Sequence, residues 1–258
     1  MIGKAPDFHI KIAQTEAEVM SALHLRYSVF AEELGANGPS VDHQALHEKD
    51  SYDPSADHLL LIDVNHMQNN GVVGTYRLMP QSSLPKGLEF YSATEFDLSP
   101  LLSSGRKLLE LGRSCVHQDY RGGTAMFELW AGLAKYVEDQ NIDVMFGVAS
   151  FHGTDVDHLA HALSYLHHSH KAPAALRTQA IGPTAAPMNI LAPDQIDRRA
   201  AMLAIPALIK AYLRLGGFVG QGAWIDHGFN TTDVCMILDT DLINPKQRAL
   251  YRKDRTAP

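Results

Sequence analysis

The chain has 258 residues, 45% of them hydrophobic, with 22 Lys and Arg against 29 Asp and Glu, a formal charge of -7 at pH 7. That length holds one large α/β domain or two small ones, and the apolar fraction excludes wholesale disorder. The negative balance argues against a nucleic-acid partner, which would require a broad basic face.

In chain order, Phe8 to Ile12 alternates as a short strand, and Glu16 to Leu34 reads as a helix with Val19, Leu23, Phe30 and Leu34 at helical spacing. Arg26 interrupts that apolar face, either as a surface residue covering the core edge or as a guanidinium aimed at a carboxylate in a pocket. Gly35 to Asp57 is polar and holds Asp42, Glu48, Asp50, Asp53 and Asp57. It reads as a long loop, of the kind that often serves as a lid, with Asp50 and Asp53 able to order around a cationic substrate or simply to make turns near Pro54. His58 to Val64 and Val72 to Met79 are strands, and the Asn70-Gly71 pair before the second predicts a hairpin. Arg77 within the second strand must lie at its end or face a cleft, because an unpaired core arginine is too costly. Pro80 to Ser104 carries turns and two brief elements near Leu88–Tyr91 and Thr94–Asp97.

The stretch from Lys107 to Thr124 organises the rest. Leu108, Leu109, Leu111 and Val116 form a buried strand, and Arg121-Gly122-Gly123-Thr124 turns into a helix predicted to bury Phe127, Trp130, Ala131, Ala134 and Val137. A helix start of this kind offers backbone N–H groups and a positive dipole end to an anion. Asp143 to Ser150 is a compact strand, and Asp155 and Asp157 open a helix through Leu159, Leu163 and Leu166. The segment 167–199 is irregular and reads as a surface-wrapping connection. Ala201 to Leu215 is helical, with Pro206 bending it or marking a later start and Gly216-Gly217 ending it. Phe218 to Asp226 and Thr232 to Leu238 are the last strands, followed by a basic tail from Asn244 expected to be mobile. This order predicts an α/β (α+β) fold: one domain over 1–258 with a mixed, mostly antiparallel sheet flanked by helices.

Glu110 and Arg113 lie three apart, so an ideal strand would point them to opposite faces, whereas a bulge near Gly112 would let both reach one cleft. A carboxylate among leucines has a raised pKa unless paired, which suits Glu110 to accept a proton from an amine. A salt bridge to an arginine, or a solvent-facing position on an edge strand, is the structural alternative. Arg106, Lys107, Arg121, Lys210 and Arg214 could form a local basic patch or be ordinary solvated charges. His158 and His161 have helical spacing but no third ligand, so no metal is expected. Cys115 and Cys235 are expected as buried free thiols of a reducing compartment. No apolar run nears the roughly eighteen residues of a membrane span, and no signal peptide is apparent. A cytoplasmic protein is expected, with peripheral contact at the inner membrane face left open.

Several segments together resemble the L-ornithine N-alpha-acyltransferases of the GCN5-related N-acyltransferase superfamily. They are Leu25-Arg26-Tyr27-Ser28-Val29-Phe30, Val73-Gly74-Thr75-Tyr76-Arg77-Leu78-Met79, Glu110-Leu-Gly-Arg-Ser-Cys-Val116, Leu129-Trp130-Ala-Gly-Leu133, Phe146-Gly147-Val-Ala-Ser-Phe151, Pro206-Ala-Leu-Ile-Lys-Ala-Tyr-Leu-Arg-Leu-Gly216 and Ile225-Asp226-His-Gly-Phe-Asn-Thr-Thr-Asp-Val234. The chain is also similar, more distantly, to acyl-homoserine-lactone synthases, which share the pattern of Arg26, Phe30, Asp50, Asp53, Arg77, Glu110 and Arg113.

The resemblance implies a 3-hydroxyacyl thioester on the phosphopantetheine of acyl carrier protein as donor, no permanently bound cofactor, and L-ornithine or a similar amino acid as acceptor. It implies Glu110 as general base, directly or through water. Arg26, Phe30, Asp50, Asp53, Arg77 and Arg113 become acceptor-site or ordering residues. Arg121, Gly122, Gly123 and Thr124 fall where the superfamily holds phosphates. Gln118-Asp119-Tyr120-Arg121-Gly122-Gly123 departs from the usual signature, since Arg121 stands where a glycine is expected. That departure fits a donor presented by a carrier protein, which needs fewer nucleotide contacts than coenzyme A. For the tetrahedral oxyanion, a backbone N–H at Val116 is the expected donor. Other readings are an acyltransferase for another amino acid, an acyl-homoserine-lactone synthase, or a non-catalytic module binding acyl chains or acyl carrier protein.

Overall fold

The computed structural model describes residues 5–243. In chain order the strands and helices are β1 (Phe8–Ile12), α1 (Glu16–Arg26), a π-helix (Tyr27–Glu33), β2 (Val41–Asp42), β3 (His47–Glu48), β4 (Asp57–Asp63) and β5 (Val72–Pro80). Next come β6 (Phe96–Asp97), α2 (Ser99–Leu102), β7 (Leu108–Val116), α3 (Ala125–Gln140), β8 (Val144–His152) and α4 (Ala160–His170). The remainder is β9 (Gln179–Ala180), β10 (Ala185–Ala186), α5 (Arg198–Ala204), α6 (Ala207–Arg214), β11 (Phe218–Val219), β12 (Ala223–Asp226) and β13 (Thr231–Asp239). Where the sequence suggested one domain, the described residues group into two compact units. One comprises 5–79 with Leu111–Asn141, the other Pro80–Glu110 with 142–243.

In the first unit β1 pairs antiparallel with β4, and β4 with β5. The predicted hairpin forms through three successive left-handed residues, Asn69, Asn70 and Gly71, with φ of 46°, 52° and 77°. Only glycine suits the last of these, because a Cβ there would lie 2.8 Å from the Asp63 carbonyl oxygen. Thr15 caps α1 by accepting the Glu18 N–H. The α-helix expected through Leu34 stops at Arg26 and widens into the π-helix, in which the Leu34 N–H reaches back to the Val29 carbonyl. One extra residue per turn rotates the following face by about 100°. Leu34 is consequently 53% exposed rather than buried.

Helix α3 packs on β1 and β4, and its buried face agrees with the one read from the sequence at Trp130 and Val137 but not at Phe127. Phe127 is exposed, and the inward side carries Ala125, Leu129, Trp130, Gly132, Leu133, Tyr136 and Val137. Gly132 permits the contact, since a Cβ would lie 2.8 Å from Ile10 Cδ1.

In the second unit β7 runs parallel to β8 over Leu108↔Val144, Leu109↔Met145 and Glu110↔Phe146. β8 pairs antiparallel with β13 from Thr231↔His152 to Asp239↔Val144. β11 and β12 both pair with β13, and β10 with β12, all antiparallel. Segment 167–199 holds the end of α4, the short strands β9 and β10 and isolated helical turns. Pro206 splits the predicted 201–215 helix into α5 and α6, as a residue lacking an N–H must. The predicted strand 218–226 is likewise interrupted between β11 and β12. The tail from Asn244 lies outside the described residues. The class is a mixed, mostly antiparallel α/β fold flanked by helices. No described helix is long and apolar enough to cross a membrane.

Candidate active site

Five of the predicted acceptor-site residues meet in the first unit. Arg26, at the end of α1, is 0% exposed. Its Nε donates to Glu48 at 2.6 Å, while Nη1 and Nη2 donate to the two Asp53 oxygens at 2.5 and 3.2 Å. Arg77 Nη1 donates to Asp50 at 2.5 Å and Asp53 at 3.3 Å, and its guanidinium lies 5.5 Å from the Tyr52 ring. Arg113 Nε donates to Glu48 at 3.2 Å and Nη2 to Asp50 at 3.1 Å.

Three guanidiniums thus face three carboxylates, a balance that buried charges require. Burial alone would favour a neutral Asp53, but the charges of Arg26 and Arg77 and the hydrogen bonds from Arg26 outweigh it. They hold this carboxyl well below the usual aspartate range. His58 Nε2 donates to the Asp53 carbonyl oxygen at 3.2 Å, and burial pushes its imidazole below the ordinary value.

This geometry narrows the alternatives that the sequence leaves open. Arg26 is neither a surface residue nor open to an acceptor, because its fork is filled by the chain's own carboxylates. Asp50 and Asp53 likewise spend their charge on arginines, and the supposed lid contains the β2–β3 hairpin and a short helical turn at Asp53–Ser55. Phe30 is half-buried and packs on the core formed by Ala22, Leu25, Val29, Leu60, Val72 and Cys115. Arg113 retains an exposed edge, its side chain 12% accessible. It also carries the strand irregularity expected near Gly112, with a left-handed φ of 50°.

In the second unit Glu110 is buried, and its carboxylate accepts the N–H of Tyr91 at 2.9 Å and of Ser92 at 2.6 Å. These donors open the helical turn Tyr91–Thr94. Phe90, just before it, meets Phe146 edge-to-face at 5.0 Å.

At the end of β7 the Val116 carbonyl accepts from Arg121 Nε at 2.9 Å, and the other guanidinium nitrogens of Arg121 bind Glu33. Arg121 is thereby committed within the first unit. Gly122, Gly123 and Thr124 are exposed ahead of α3, and Gly122 adopts a φ of 77° that favours glycine. The first N–H groups of α3 lack intrahelical acceptors by helix geometry.

The region 25–131 matches the model of the Acetyltransferase (GNAT) domain. The chain is 49% identical over 248 residues to the L-ornithine N(alpha)-acyltransferase of Rhodobacter capsulatus, covering 95% of both chains. It is 38% identical to the enzyme of the same name from Brucella abortus, covering 97% of this chain and 91% of that one. This chain belongs to the L-ornithine N(alpha)-acyltransferase family. It is therefore an N-acyltransferase. Among solved structures, the CoA-dependent acyl-homoserine lactone synthase BjaI shares the fold with a TM-score of 0.54 at 16% identity, over 95% of this chain and 88% of that one.

Sequence reading missed several groups of this acyltransferase. In the second unit Glu95, Asp226 and Asp233 bring carboxylate oxygens within 4.8 Å of one another, a set able to hold a hard cation. Glu95 and Asp233 are buried, and Asp226 already accepts from the N–H groups of Gly228 and Phe229. Asp226 and Asp233 sit in a quoted family segment, but Glu95 lies far from both in sequence, so no spacing joins the three. His161 accepts from the Asp197 N–H and thereby supports the start of α5. Cys115 and Cys235 are buried free thiols, both raised to about 12 by desolvation. Of the expected basic patch, Arg106 is bound by Asp239 and Asp241. An open cleft of about 480 Å³ in the first unit is lined by residues including Tyr27, Ser28, His66 and His117, and by none of the predicted site residues.

Proposed function

We propose that this N-acyltransferase moves a 3-hydroxyacyl chain from acyl carrier protein to the α-amine of L-ornithine, giving lyso-ornithine lipid. Near-full-length identity of 49% to an enzyme named for that acceptor carries the reading. In the reaction the amine nitrogen attacks the thioester carbonyl, the C–S bond breaks, and an amide C–N bond forms. The α-ammonium must lose a proton before or during attack. Glu110 is the proposed base, acting directly or through water, and the phosphopantetheine sulfur leaves as a thiol once protonated.

The other roles divide by accessibility. Arg113, partly exposed, is the proposed partner of the acceptor carboxylate. Arg26, Arg77, Asp50 and Asp53 hold that guanidinium's surroundings in place, with Phe30 packing behind. A backbone N–H at Val116 is the proposed oxyanion donor. The Gly122–Gly123–Thr124 backbone is the proposed phosphate contact of the phosphopantetheine arm, while Arg121 secures the turn. A long acyl chain would add about 0.8 kcal/mol of binding per buried CH₂.

The test is mass analysis of products after incubating the purified chain with 3-hydroxyacyl carrier protein or the matching acyl-coenzyme A. Ornithine, lysine, glycine and S-adenosylmethionine are offered as acceptors in turn. N-acyl ornithine from the carrier-protein donor is expected. Amide from another amine, or lactone from S-adenosylmethionine, would move the chain to a different acceptor. Donor binding with no product under any pairing would make it a binding module.

A further inference from the structure

Charge is unevenly distributed along this acyltransferase. Residues 158–225 contain six Lys and Arg, five His and only two acids, Asp194 and Asp197, in a chain whose total is -7. Side-chain contacts join part of this stretch within the second unit. Helix α4 packs against α5. The Arg198 guanidinium lies 5.6 Å from the Tyr165 ring, and that ring meets His170 at 5.4 Å. His167 contacts both His168 and Lys171. Asp197 is engaged as the cap of α5, accepting the N–H groups of Arg199 at 2.8 Å and Ala200 at 3.0 Å.

Helix α5 turns Ala201 inward, fully buried, and leaves Met202 and Leu203 outward at 40% and 76% exposure. Arg198 precedes Met202 by four residues and Arg199 precedes Leu203 by four, so each apolar side chain stands one turn beyond an exposed arginine.

We infer that the α4–α5 surface is a docking face for an anionic lipid bilayer. Arg198 and Arg199 would meet lipid phosphates, while Met202 and Leu203 enter the acyl boundary below them. An acidic protein partner would equally satisfy the arginines. Leu203 and Met202 decide against it: they protrude instead of lining a groove, and protruding apolar side chains suit a fluid apolar medium without a complementary shape. Tyr165, half-buried under Arg198, has the apolar body and polar tip found at membrane interfaces. Binding of this kind is independent of which amine is acylated and is read without turnover.

Flotation of the full chain with vesicles tests it. Phosphatidylglycerol–phosphatidylcholine vesicles are expected to carry the protein up the gradient, pure phosphatidylcholine vesicles are not, and added salt should weaken the association. Arg198→Glu with Arg199→Glu is expected to cut binding roughly tenfold or more. Met202→Ser with Leu203→Ser is expected to cut it by a similar factor. Arg198→Lys with Arg199→Lys should keep most of it. Circular dichroism and thermal melting identify any variant that has unfolded. No flotation with anionic vesicles, binding unaffected by either double substitution, or capture of acidic carrier protein by this surface without vesicle binding would each overturn the inference.

Discussion

The Glu110 carboxylate accepts the Ser92 backbone N–H at 2.6 Å, so the proposed base is also the anchor of the turn that follows Phe90. The two duties can be separated. Glu110→Gln keeps a carbonyl oxygen for one donor but removes the charge, and should lower kcat by at least about 10²-fold. The KM for ornithine should stay within about threefold. Glu110→Ala removes both acceptors and should also lower stability by about 1–3 kcal/mol for each buried N–H left unpaired. Steady-state kinetics and urea unfolding of both variants read the difference. Unchanged kcat in Glu110→Gln would leave only the anchoring role.

Arg26 is expected to matter chiefly for folding. Replacing it with Met removes the guanidinium that Glu48 and Asp53 share and leaves these buried carboxylates only Arg113 and Arg77, at a cost of about 3–5 kcal/mol. A lowered urea midpoint with an unchanged slope would show it. An intact midpoint with a raised ornithine KM would instead make Arg26 an acceptor ligand.

The same cluster predicts acid sensitivity. Asp53 has a depressed folded pKa, so its contribution is complete above the ordinary aspartate range and is lost as pH falls through the folded value. His58 acts earlier. Burial lowers its folded pKa, so the unfolded chain takes the proton first and stability declines as pH drops below about 6.5 toward the folded value. That group adds at most about 1.4 kcal/mol per pH unit to the slope. Unfolding free energies between pH 7.5 and 5 should fall more steeply for wild type than for His58→Gln, and equal slopes would count against the buried neutral imidazole.

Arg121 is tied to Glu33 and to the Val116 carbonyl. Arg121→Ala should therefore leave the KM for acyl carrier protein within about twofold. Its partly exposed pairing should contribute about 1 kcal/mol or less to stability. A tenfold rise in donor KM would return the guanidinium to the phosphate site.

Gly132 sets how closely α3 approaches β1. Gly132→Ala forces its Cβ against Ile10 and should cost about 1–3 kcal/mol despite the better helix propensity of alanine. Pairing it with Ile10→Val should recover part of that loss in thermal melts, and no recovery would point to a different contact.

What the sequence by itself determined was local or cumulative. Short apolar runs bounded by turn residues located β4, β5, β8 and β13, the Asn70-Gly71 pair placed the hairpin, and Pro206 marked a helix break. Motifs spread over most of the chain identified the family. Periodicity was weaker on which face a helix buries: it chose Phe127 for α3, and it carried the first helix past the π-turn at Tyr27. One extra residue in a turn leaves no trace in composition.

Only the tertiary structure decided which charges are available. Arg26 meets Glu48 and Asp53 from 22 and 27 residues away, and Arg113 meets Glu48 across 65. Pairing over such separations depends on where the chain returns in space, which residue order along a strand or helix does not encode. The same holds for Glu110, whose partners are backbone N–H groups common to nearly every residue. Conformation alone made those of Tyr91 and Ser92 its donors.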